Sequence, residues 1–147
     1  MQPNGGAAPA TAEDAVLGTL LALGRTVRAR QPGDQVEAAL VPVLKVVTRC
    51  GSSRLTYLAG RLDLDASTVS RHVKHLEDLG YVERTSDPDD GRASQLAATP
   101  SGHQALADFL ATRRALVAQA LQDWTDTERE TLRTLLDRFN CAILDAD

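Results

Sequence analysis

Apolar side chains recur at Val16, Leu20, Leu23 and Val27, three or four residues apart. That spacing keeps them on one helical face, and Pro32-Gly33 would stop the helix. Val36, Leu40, Val43, Leu44 and Val47 repeat the pattern up to Gly51. They predict a second helix from about Asp34, which is placed to cap it. Pro42 falls inside that stretch and should kink the helix or shift its start. Leu55, Leu58, Ala59 and Leu62 mark a short third helix with Ser52 or Ser53 as cap. Asp65 then caps a fourth, from about Ala66 to Leu79, and Gly80 stops it. Tyr81-Val82-Glu83-Arg84 is β-prone, Asp87-Pro88-Asp89-Asp90-Gly91 is a turn by composition, and Ala93 to Ala98 returns, so residues 81–98 read as a β-hairpin.

Thr99-Pro100 opens a long helix, with Thr99 as cap and Pro100 where a missing N–H costs nothing. Its apolar stripe is Leu106, Phe109, Leu110, Leu116, Val117 and Leu121. Thr125 and Glu128 have capping-box spacing, and Leu132, Leu135, Leu136, Phe139 and Ile143 follow at helical intervals. The fold class is therefore mainly α with a small β-hairpin, not an alternating β/α chain. Residues 1–11, rich in Gly, Ala and Pro, read as a flexible tail, and residues 12–147 as a single domain. Within it, 34–99 forms a helix-turn-helix lobe with a hairpin wing. The helices of 12–31 and 100–145 have apolar stripes wide enough to need a partner, which points to a homodimer built from both chain ends.

Composition narrows the classes. Of 147 residues 43% are hydrophobic and 24% charged, the balance of a globular domain. No apolar run approaches the roughly 20 residues of a membrane span, so no membrane partner is expected. The N-terminus lacks the basic and apolar regions of a signal peptide, and a cytoplasmic protein is expected. Two cysteines make neither a disulfide framework nor a zinc cluster. No nucleophile elbow, glycine-rich phosphate loop or metal-ligand spacing is present. The sequence thus points to no catalytic residue, metal or cofactor, and to a protein that is not an enzyme.

The stretch Arg54 to Val73 reads as two short helices joined by a tight polar turn, the helix-turn-helix arrangement. On the second helix, Val73 and Leu76 lie within about 40° of Val69 and form its buried ridge. Ser67, Arg71, Lys74 and Asp78 fall on the opposite face. That outward face begins with hydroxyls, continues with Arg71 and Lys74, and turns acidic at Glu77 and Asp78. The gradient suits a helix entering the major groove by its N-terminal half, with hydroxyls reaching phosphates or base edges and Arg71 or Lys74 addressing guanine. The net charge of −4 pulls against DNA binding. Local potential can offset it where the basic residues gather on one surface.

The hairpin adds Arg92 beyond its turn, a permanently charged planar group suited to a narrow minor groove. Asp90 is the nearby carboxylate that would hold it. The run Asp87-Pro88-Asp89-Asp90-Gly91-Arg92, then Leu96, Thr99 and Gly102, follows Leu76-Glu77-Asp78-Leu79-Gly80-Tyr81-Val82-Glu83-Arg84. In this combination the chain resembles the MarR family of winged helix-turn-helix regulators from about residue 12 to 145. The resemblance implies a dimer with two winged lobes on a pseudo-palindromic operator of double-stranded DNA, with repression as the default. It places Ser67, Thr68, Ser70, Arg71, Lys74 and His75 toward the major groove and Arg92 at the wing tip. It also implies a pocket for a small aromatic or phenolic effector, whose residues the sequence does not identify. Gly91 stands where a second basic residue is common, and Ala98 where a larger aliphatic is common, so a weakly basic wing and moderate affinity are expected.

The remaining candidates have blander readings. His72 reads as a packing residue on the helix flank. His75 is the better phosphate contact, and its protonation in mild acid would tighten binding. Cys50 and Cys141 read as small buried or half-buried thiols. Trp124 and the phenylalanines read as core. A helical protein-interaction module that uses the same fold without DNA is the rival to a DNA reader, and Arg71 and Arg92 discriminate the two.

Overall fold

The computed structural model describes residues 11–87, 89 and 94–144. Its elements run α1 (Ala12–Arg28), a 3-10 turn (Ala38–Leu40), α2 (Val41–Cys50), α3 (Leu55–Leu62), α4 (Ala66–Asp78), β1 (Val82–Ser86), β2 (Ser94–Ala98), α5 (Pro100–Ala120) and α6 (Asp126–Leu144). They fall into two compact units that divide within α5, between Leu110 and Ala111.

In the first unit, the core gathers one ridge from each central element. Leu40, Val43, Leu44 and Val47 meet Leu58 of α3 and Val69, Val73 and Leu76 of α4, with Val82 and Leu96 from the hairpin and Leu106 and Phe109 from α5. Its helical members are the residues whose spacing predicted helical faces, and burial of the whole set is the main stabilising contribution. α1 differs: none of its residues is buried. Thr11, assigned to the tail by composition, caps α1 by accepting the Asp14 backbone N–H at 3.2 Å.

Two predicted starts are corrected. α2 begins at Val41, so Pro42 sits in its first turn, where the absent N–H is harmless. Asp34 caps nothing there; its Oδ2 accepts the Gln31 backbone N–H at 2.8 Å in the preceding loop. α3 is preceded by Arg54 with no side-chain cap, so neither Ser52 nor Ser53 fills that role. Ser53 instead pairs with Leu96 as an isolated bridge, donating its N–H to Leu96 O at 3.0 Å and accepting the Leu96 N–H at 2.8 Å. That bridge adds a third segment to the antiparallel pair β1–β2, which runs in register from Val82 opposite Ala98 to Ser86 opposite Ser94.

α4 ends one residue before the predicted Leu79. Gly80 has φ of +74°, and the N–H groups of Gly80 and Tyr81 return to Glu77 O and Leu76 O, both at 2.9 Å. This closing motif needs a residue tolerant of the left-handed region, which glycine is. Thr99 caps α5 as predicted: Oγ1 accepts the Gly102 N–H at 3.1 Å and donates to Gly80 O at 2.7 Å. Gly102 lies so close to β1's approach that a Cβ there would sit 2.1 Å from the Tyr81 carbonyl oxygen. The start of α5 is thereby fixed directly against the end of α4.

In the second unit, the predicted capping box forms: Glu128 accepts the Thr125 N–H at 2.8 Å, and Thr125 Oγ1 accepts the Glu128 N–H at 3.3 Å. Arg129 closes the turn by donating to Leu121 O at 2.6 Å and Trp124 O at 3.1 Å. Leu135, Leu136, Phe139 and Ile143 of α6 are exposed. Trp124 is exposed as well, so that it and Phe139 go against the expectation that they are core, whereas Phe109 is buried. Cys50 and Cys141, expected to be at least half-buried, are both exposed free thiols.

Candidate nucleic-acid interface

α3 and α4 are joined by a turn in which Asp63 adopts the left-handed conformation with φ of +50°, a state Asp enters more readily than most residues. The turn ends at Asp65, which caps α4 by accepting the Thr68 N–H at 2.8 Å. Thr68 Oγ1 donates to the other carboxylate oxygen at 2.7 Å, and Ser67 Oγ also donates to Asp65. These hydrogen bonds, first from Ser67 and then from Thr68, hold the Asp65 carboxyl well below the usual carboxylate range. Asp65 is a full anion at any physiological pH.

With Val69, Val73 and Leu76 buried completely, α4 has a single possible orientation. It leaves Ser67, Ser70, Arg71, Lys74 and His75 exposed, with Thr68 half-buried beside them. The six major-groove candidates therefore share one surface. They are not equally available. Lys74 Nζ donates to Asp78 Oδ1 at 2.6 Å, one helical turn on, and this pairing raises the lysine's pKa. Asp78, at the acidic end of the same outward face, thus pairs off Lys74 from the basic row. His72 is half-buried, and its Nδ1 is buried without a partner.

The hairpin is braced from its base. Arg84 donates to Glu77 at 2.8 Å, linking β1 to α4. Asp87, at the end of β1, is almost wholly buried. It accepts the Asp89 N–H at 2.9 Å and two N–H groups of Arg54, at 2.8 and 2.5 Å. The Asp89 N–H and the Arg54 guanidinium hold the Asp87 carboxyl down to about 2. Sequence reasoning missed this Arg54–Asp87 pair. Asp90 and Arg92, the wing-tip candidates, lie outside the described residues.

Among the described residues, no three His, Cys, Asp or Glu side chains gather as metal ligands, and no helix is long and apolar enough to cross a membrane.

Two short helices in a fixed turn, a polar outward face on the second and a hairpin braced beside it define a winged helix-turn-helix DNA-binding protein. The MarR family's sequence profile matches residues 46–93. The uncharacterized HTH-type transcriptional regulator YxaD of Bacillus subtilis (strain 168) is 36% identical over 103 residues, covering 70% of this chain and 72% of that one. The crystal structure of wild-type MarR in apo form from E. coli superposes with a TM-score of 0.75 at 20% identity, covering 88% of this chain and 96% of that chain. The transcriptional regulator BldR from Sulfolobus solfataricus gives 0.61 at 25% identity, over 86% and 92%. The chain belongs to the MarR family. It is a DNA-binding transcriptional regulator and not an enzyme.

Proposed function

We propose that the protein is a cytoplasmic repressor that binds a pseudo-palindromic duplex operator as a homodimer and is released by a small aromatic or phenolic effector. α4 enters the major groove with Ser67, Thr68, Ser70, Arg71, Lys74 and His75, and Arg92, held by Asp90, reaches the adjacent minor groove. The observation that carries this is the split of α4: one ridge sealed completely in the core, and the hydroxyl and basic row outward, with only Thr68 half-buried. The exposed apolar rows of α1 and α6 support dimerisation through both chain ends. A cavity of about 620 Å³ supports the effector reading, with Val27, Pro42 and Phe109 lining it beside Lys45, Arg49 and Arg61. That composition suits an apolar ring with an anionic substituent.

Selection of bound duplexes from a random library at a stated salt concentration tests the reading. A palindrome with half-sites roughly one helical turn apart is expected. Arg71→Ala and Arg92→Ala should each weaken binding to it by about ten-fold or more. Because Lys74 is already paired with Asp78, Lys74→Ala should lower the salt slope by less than the one ion that a free phosphate contact releases. Normal binding by both arginine variants would reject the docking and favour a protein-interaction module instead.

A further inference from the structure

We infer that the first turn of α4 reads exocyclic amino groups, adenine N6 or cytosine N4, through Ser67 Oγ and Thr68 Oγ1 held by Asp65 as hydrogen-bond acceptors. The inference rests on the reading of α4 as the groove-entering helix.

A hydroxyl has one hydrogen to donate and lone pairs with which to accept. An ionised carboxylate can only accept. The contacts from Ser67 Oγ and Thr68 Oγ1 to Asp65 must therefore consume the single hydrogen of each hydroxyl. What these oxygens still offer to a ligand is lone pairs. The exposed Asp65 carboxylate offers the same.

This settles which DNA groups the turn can meet. Phosphate oxygens have no hydrogen to give, so neither hydroxyl can bind the backbone while it is held this way. The charge on Asp65 repels phosphate as well. Guanine N7 and O6 and thymine O4 are likewise acceptors. In the major groove the hydrogen-bonding donors are adenine N6 and cytosine N4. One turn along the helix the chemistry reverses. Arg71, four residues after Ser67, is exposed and can only donate, which suits guanine. The helix thus carries an acceptor turn followed by a donor turn. Each half-site should place an amino-bearing base beside a guanine contact.

The test uses the full chain and the duplex recovered by random selection. Each adenine of a half-site is replaced in turn by unsubstituted purine, and each cytosine by 2-pyrimidinone, so that only the amino group is lost. At one or two positions per half-site, wild-type affinity should fall about ten-fold. The same base changes should have no further effect on Ser67→Ala or Thr68→Val, whichever residue makes the contact. Asp65→Asn keeps a competent helix cap. Its amide N–H lets one hydroxyl accept and turn its hydrogen outward, so repeat selection should admit guanine or thymine at that position.

Wild-type indifference to every amino deletion overturns the inference, and so does a loss undiminished in the two hydroxyl variants. If Arg71→Ala still weakens binding in either case, the docking of α4 stands and only this assignment fails. If selection enriches no sequence, or Arg71→Ala binds with unchanged preferences, the docking itself fails and takes the inference with it.

Discussion

α1 and α4 carry the same kind of apolar row and end in opposite states. Val69, Val73 and Leu76 of α4 are completely buried within the chain. Leu20 and Leu23 of α1, at equivalent spacing, stay 56% and 43% exposed, and Leu21 rises to 69%. Helical periodicity states that a face is apolar; it does not state what covers it. α4 is covered because short turns on both sides leave it no other place than the central core. α1 is joined to that core through the Ala29–Glu37 loop and buries none of its residues. Its row needs a different partner, and in the proposed homodimer a second copy of the chain would supply one with matching chemistry.

The comparison breaks most sharply at α4. Leu76→Ala removes a completely buried side chain at the centre of the core and should destabilise the protein by about 2–5 kcal/mol. Denaturant unfolding with an unchanged m-value measures it. A loss below about 1 kcal/mol would mean that the ridge is not packed as described.

Gly102→Ala comes next. The added methyl meets the Tyr81 carbonyl at 2.1 Å, a backbone atom that cannot swing aside. Overpacking of this kind costs about 1–3 kcal/mol. The same substitution at Gly18 of α1 meets nothing within 4 Å. It should stabilise slightly, as alanine favours helix over glycine by about 1 kcal/mol. Thermal unfolding of the two variants side by side tests whether only one of the two regions is tightly packed.

A smaller effect concerns the wing. Asp87 has a depressed pKa of about 2 in the folded chain, against about 4 for a free Asp. A depressed carboxyl stabilises above its unfolded pKa and loses that contribution as pH falls through the folded value. The Arg54–Asp87 brace should therefore be intact at neutral pH and released between about pH 4 and pH 2. Asp87→Asn should flatten that part of the stability–pH curve. It should also weaken operator binding at neutral pH by a few-fold, because the hairpin loses its anchor.

How much was legible follows from the range of the interactions. The α4 ridge, the Asp65 cap, the Thr99 cap and the Thr125–Glu128 box are each set by residues within a turn or two, so spacing alone reveals them. The Arg54–Asp87 pair joins positions 33 residues apart, and no local pattern connects them. The carboxylate read from sequence as holding an arginine was Asp90, for Arg92 two positions on, and both lie outside the described residues. Ser52 and Ser53 are both good capping residues near a helix start, but neither caps α3, and the backbone of Ser53 is committed to Leu96. Pro42 was informative: its position in the second apolar stretch called for a kink or a shifted start, and the outcome is the shifted start, with α2 beginning one residue before it. The exposure of Cys50 and Trp124 was not legible, since residue type describes preference for burial and not the presence of a neighbour.

The least visible change in the fold should come from α1, and that makes it informative. Leu20→Ser removes apolar surface that is mostly exposed in the single chain. Unfolding of the isolated subunit should then change by no more than about 0.5 kcal/mol, as for an ordinary surface site. In a dimer sealed by this row, the same change removes buried surface twice, once from each copy. Apparent stability then becomes concentration-dependent, and the variant should lose more of it at low protein concentration than at high. Light scattering should show the wild type as a dimer at concentrations where Leu20→Ser is shifted toward monomer. Because two half-sites are engaged together, operator affinity should fall with the dimer fraction even though α4 is untouched. A variant that scatters as a dimer and binds like wild type would show that α1's row is covered by something other than its copy. The contrast between α1 and α4 would then reflect a different partner, and the two-lobed reading of the operator would rest on α6 alone.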